Sequence, residues 1–171
     1  MPLKLPRPPA GLGFAAGGFV GGGGAAGGAA GDIVDIAKRS VGLDESGALA
    51  DRDLRARIVR SRIDSQAFFL TLSRVAAESR SNNGPSAATS IIKYAAATLA
   101  QERSELIVEA LGAKGLGWEG DAFTPAERQA TRGWLRSKGN SIEGGTSEVN
   151  LNVIAKRVLG LPDPVGVKGG G

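Results

Sequence analysis

Residues 139–162, GNSIEGGTSEVNLNVIAKRVLGLP, combine a glycine turn with the start and the end of a short amphipathic helix. Gly144 and Gly145 supply backbone freedom where a side chain would obstruct a tight turn. Thr146 and Ser147 place hydroxyls where the first amides of a helix lack intrahelical partners. Val149, Val153, Ile154, Val158 and Leu161 then recur at about helical spacing, with Lys156 and Arg157 near the end. Gly160 followed by Pro162 is a stop signal. Read from these residues alone, the turn either caps an ordinary helix or aims helix amides at an anionic or carbonyl-bearing ligand.

Working outward, the preceding segment from Gly112 to Phe123, GAKGLGWEGDAF, sets four glycines around Trp118. Such a loop lets backbone approach another group closely and lays an indole against it, or it is an interhelical loop whose Trp plugs the end of a bundle. Thr124-Pro125-Ala126-Glu127 opens a helix: Thr124 caps, Pro125 suits the first helical position, and Glu127 reaches back to complete a capping box. This helix runs to about Ser137, carries Trp134 and Leu135, and ends at Gly139.

Upstream lie two long helical patterns. The first spans about Leu49 to Ser81, without Pro or Gly, and places Leu54, Ile58, Phe69, Leu72 and Ala76 roughly on one face, with Asp53 one turn before Arg57. Asn82-Asn83-Gly84-Pro85 breaks it. The second spans about Ser86 to Leu111, with Ile91, Ile92, Ala95, Leu99, Leu106 and Ala110 as its core side and many alanines that favour helix and close approach. A shorter helix over Asp32 to Arg39 turns Ile33, Ile36 and Ala37 inward, and Gly42 to Gly47 is a turn. Strand-like alternation is lacking, so the expected fold is an all-α, antiparallel helical bundle over 32–162. Residues 1–31, Pro-rich and then Gly/Ala-rich, offer almost no apolar area to offset ordering entropy and are expected to be flexible, as is the tail 163–171. The Gly11-Leu12-Gly13 segment does not follow a strand or open a helix, so it is not a dinucleotide cradle.

Composition narrows the chemistry. The 171 residues include no cysteine and no histidine. That excludes disulfides, thiolate metal sites and the usual neutral-pH general base, leaving carboxylates, Lys, Tyr or a cofactor. The 27 glycines exceed the usual share of about 7%. A net charge of +4 with interspersed signs gives no nucleic-acid surface. No membrane span or signal-peptide core is evident, and a cytoplasmic location is expected.

The Gly-Thr-Ser-Glu-Val segment leading to Leu159-Gly160-Leu161-Pro162 resembles the C-terminal signature of the acyl-CoA dehydrogenase family. A weaker resemblance to the family's C-terminal helical domain extends back to about Asp32. It implies FAD as cofactor, an acyl-CoA thioester as substrate, and homo- or hetero-oligomers of like subunits; some branches assemble as heteromers with incomplete half-sites. Cofactor contact is implied at Gly145, Thr146 and Glu148 in the signature and at Gly115, Gly117 and Trp118 in the preceding loop. Arg132 and Arg136 either meet phosphate or line a wet helix face.

The family's N-terminal helical domain and middle β-domain have no counterpart here, and its base is absent by either route. Many members hold a carboxylate immediately before the Gly-Thr pair, where this chain has Gly144. Glu143, one residue earlier, is directed elsewhere. Other members take the base from the start of the first helix of this domain, and here 1–31 contain no carboxylate. Asp32 and Asp35 come nearest, outside the family's context, so no catalytic residue is assigned. The expectation is therefore a flavoprotein fragment or subunit that α,β-dehydrogenates acyl-CoA, or a non-catalytic assembly module derived from that family.

Overall fold

A computed structural model describes residues 32–82 and 88–162. The expectations for 1–31, for the tail, and for the break at 83–87 lie outside them. Among the described residues five α-helices follow in chain order: α1 (Ile33–Ser40), α2 (Arg52–Asn82), α3 (Ala88–Leu111), α4 (Pro125–Ser137) and α5 (Ser147–Val153). Short 3-10 turns over Gly112–Leu116 and Lys138–Ser141 flank α4, and a π turn over Ile154–Val158 prolongs α5. Among the described residues the only β pairing is an isolated antiparallel bridge between Leu43 and Leu49. The all-α expectation holds.

Helix starts follow local chemistry. The Asp32 carboxylate accepts from the Val34 amide at 2.8 Å and opens α1. The Asp51 carboxylate accepts from the Leu54 amide at 2.9 Å and opens α2. Between them, the Asp44 carboxylate collects the Ser46 amide, the Ser46 hydroxyl and the Ala48 amide, closing the loop that the bridge spans. At α4 the expected capping box forms, with Thr124 and Glu127 each satisfying the other's backbone amide.

Every other element packs on α3. The main core gathers Ile33, Ile36 and Ala37 of α1, Leu54 and Ile58 of α2, Leu106, Ile107 and Ala110 of α3, and Ala130 of α4. Because the beginning of α2 meets the end of α3, the two long helices are antiparallel. Arg57 and Glu109 join them at 2.6 Å, and Arg62 reaches back to both oxygens of Asp32 at 2.9 Å. The predicted inward face of α1 is correct. On α2 the reading needs correction: Phe69 is exposed, and Val75, not singled out from the sequence, is buried. Leu72 and Ala76 are half-buried as that face requires, so the periodicity persists beyond Ile58 and only Phe69 falls outside the cover. On α3, Ile91, Ile92, Ala95 and Leu99 are half-buried, while Ala97 and Ile107 join Leu106 and Ala110 in being buried.

Candidate functional site

The loop after α3 is shaped by its own chain. A Cβ on Gly115 would collide with the Val108 carbonyl, and one on Gly117 would enter the Phe123 ring. The close backbone approach expected of these glycines is thus made to α3 and to Phe123. Three residues on one side of α4 then clamp the loop. Arg128 donates to the Gly120 carbonyl at 2.8 Å, Thr131 to the Gly115 carbonyl at 2.8 Å, and Arg132 to the Trp118 carbonyl at 2.9 Å. The Arg132 guanidinium also lies 5.0 Å from the centre of the Trp118 ring, a cation–π distance. Trp118 itself is 50% exposed, so it does not plug the bundle end.

The signature turn follows α4. Gly144 and Gly145 have φ of 63° and 95°, a region that side chains resist. Thr146 sits in extended backbone as the N-cap of α5, its hydroxyl accepting from the Val149 amide at 3.3 Å. Two donors close on the Gly145 carbonyl: the Lys93 ammonium, from α3, at 2.5 Å and the Asn150 carboxamide, from α5, at 3.0 Å. Lys93 also donates to the Asn140 carbonyl at 3.1 Å, and Asn150 to the Thr146 carbonyl at 2.8 Å. Neither Lys93 nor Asn150 was singled out from the sequence. Their partners' spacing carries no motif, although a polar Asn among the apolar positions of α5 is the one local sign. Of the apolar residues expected to recur along this helix, Val153 and Ile154 are half-buried, whereas Val149, Val158 and Leu161 are exposed.

Glu148 stands exposed in the first turn of α5. A hydrogen bond from its own backbone amide, then one from the Thr146 side chain, hold its carboxyl below the usual range. It borders a groove of about 410 Å³ between α3 and α5, where Tyr94, Thr98, Gln101, Glu102 and Ser147 also face the opening. A larger hollow of about 510 Å³ lies between the end of α1 and the start of α4, bordered by Arg39, Lys114 and Glu127, and includes no signature residue. The signature groove is the one with the relevant chemistry, since Glu148 opens onto it.

Cations nearby are committed. Arg136 grips Glu143 through two bonds of 2.5 and 2.9 Å, and the hydrogen bond from Arg136 is the main cause that depresses the Glu143 carboxyl. A carboxylate so held is a weaker base than a free one. Asp32 is likewise occupied, its carboxyl lowered chiefly by the Val34 amide and engaged by Arg62. Glu148 faces the groove as an acceptor, with the Ser147 and Thr98 hydroxyls beside it. Among the described residues, no group of carboxylates is arranged to hold a metal ion, and no helix is long and apolar enough to cross a membrane.

The sequence model for the acyl-CoA dehydrogenase C-terminal domain matches residues 16–159. The match starts inside the Gly/Ala run, earlier than the resemblance read from the sequence. Acyl-CoA dehydrogenase IpdE1 of Mycolicibacterium smegmatis is 31% identical over 137 residues, covering 78% of this chain and 30% of that protein. A chain in the crystal structure of the ChsE4–ChsE5 complex from Mycobacterium tuberculosis superposes with a TM-score of 0.63 at 22% identity, over 83% of this chain and 37% of that one. At this identity the second likeness concerns the fold. The chain spans about a third of the length of these relatives. The described helices and the matched sequence agree: the chain belongs to the acyl-CoA dehydrogenase family, as its C-terminal domain.

Proposed function

We propose that the chain contributes part of a flavin half-site in an acyl-CoA dehydrogenase that α,β-dehydrogenates acyl-CoA thioesters. The observation that carries this reading is the ordered Gly144–Glu148 turn, which presents an ionised Glu148 at the mouth of the α3–α5 groove. When bound, FAD takes the hydride that leaves Cβ of the acyl chain as the Cα proton is removed. In this chain Glu148 is suited to accept from ribose hydroxyls or an adenine amine, and Trp118 offers a ring to a planar partner. Gly145 and Thr146 set the direction of Glu148, while Gly115 and Gly117 hold the Trp118 loop against α3 and Phe123. On this reading the pyrophosphate charge and the base are supplied by other groups, since Arg132 and Lys93 donate to internal carbonyls and Arg136 is paired with Glu143.

FAD titration of the purified chain, by fluorescence or calorimetry with mass recorded alongside, tests this reading. Saturable binding is expected, weakened about tenfold by Glu148→Ala through loss of a hydrogen bond to a charged group. Absence of binding by a folded oligomer sinks it.

The second reading, a non-catalytic assembly module, is favoured by a different observation. Val59, Ile63 and Leu70 lie along one side of α2 and are 52%, 62% and 59% exposed. On that reading α2 packs against a like subunit, and the family label describes ancestry rather than activity.

A further inference from the structure

We infer that Lys93 is the positioning residue of the signature turn, a tether from α3 that determines how Glu148 is presented to a ligand. The ammonium spans the turn from side to side, bonding the Asn140 carbonyl before it and the Gly145 carbonyl at its end. Between these anchors lie Ser141, Ile142, Glu143 and Gly144, the last with a positive φ.

Orientation passes from the lysine to Glu148 through covalent geometry. The Gly145–Thr146 peptide is planar and trans, so fixing the Gly145 oxygen fixes the plane from which Thr146 departs. Gly145, at φ 95°, is otherwise the freest joint in the segment. Thr146 then caps α5, and Glu148 follows within the same turn. Asn150 holds the same carbonyl, but from within α5, so it moves with the helix and cannot locate that helix against the bundle. Lys93 belongs to α3, on which every other element packs, and supplies the fixed reference. A neutral side chain of the same length fills the space without donating to either carbonyl.

The role in ligand presentation rests on the flavin reading, and the role in holding the turn does not. Amide exchange by mass spectrometry separates the two when run beside FAD titration on the wild type, Lys93→Met and Lys93→Cys. The chain has no cysteine, so aminoethylating Lys93→Cys restores an ammonium at this one position. In Lys93→Met, exchange over 140–149 is expected to rise about tenfold or more, with the Leu106–Ala110 core unchanged. FAD affinity falls by a similar factor, and aminoethylated Lys93→Cys recovers both. Unchanged exchange in the turn overturns the inference. So does an equal rise in the core, or a failure of the restored ammonium to recover the turn. If wild type binds no FAD, the flavin reading falls, and the exchange and its rescue still decide whether Lys93 holds the turn.

Discussion

Gly117 is small because the Phe123 ring occupies the space beside it, and Gly115 because the Val108 carbonyl does. Gly117→Ala forces that ring or the loop to move, and overpacking of this kind costs about 1–3 kcal/mol. Urea denaturation should find the loss; an unchanged midpoint would mean that Phe123 swings clear. Asp32 makes a second test at this scale. Its carboxyl is depressed in the folded chain, first by the Val34 amide, so it stabilises above its unfolded value of 3.8 and loses that contribution as pH falls through the lower folded value. Asp32→Asn keeps a capping oxygen but abolishes the titration. Stability of this variant should therefore fall less steeply below about pH 5 than that of wild type, measured by denaturation at stepped pH. Such residues show what the sequence made legible. The glycine-rich loop announced a close approach, yet only the folded chain identifies the neighbour as its own Val108 and Phe123. Arg132 and Arg136 announced charge, and their partners proved to be a loop carbonyl and Glu143.

At the scale of the element, two helix starts were legible from local chemistry. Thr124-Pro125 with the Glu127 return bond and the Gly144–Thr146 entry to α5 concern neighbours within four residues, as do the Asp32 and Asp51 caps, which the folded chain adds. The tethers from Lys93 to Gly145 and from Thr131 to Gly115 link separate elements, and no local pattern encodes them. Burial along α2 was legible in part. Periodicity marks the apolar side, on which Leu54 and Ile58 are buried and Leu72 and Ala76 half-buried, but it does not say which side chains at the edge of that side are covered: Phe69 is exposed and Val75 is not. The core end, by contrast, follows from α3. Leu106 is 4% exposed where α1, α2 and α4 converge. Leu106→Ala should cost about 2–5 kcal/mol by leaving a cavity that three helices cannot close together. A thermal midpoint within a degree or two of wild type would show that this end repacks freely.

At the scale of the molecule, one side of α2 is left uncovered among the described residues. Ala56, Val59, Ile63 and Leu70 are spaced by three, four and seven residues and so share one side of the helix. Their exposure contrasts with Leu54 and Ile58 on the neighbouring side, which the core covers. On the assembly-module reading proposed above, this seam is the surface that packs against a like subunit. Ile63 stands at the middle of the seam and is 62% exposed, so Ile63→Asp places a charge in water in the isolated chain but buries it in any α2–α2 contact. The variant should retain the helicity of wild type by circular dichroism. Its mass by light scattering should shift toward the single chain at concentrations where wild type associates. Equal masses for both proteins across the concentration range would remove α2 as the contact. Loss of helicity together with association would instead show that α2 is folded only by its partner.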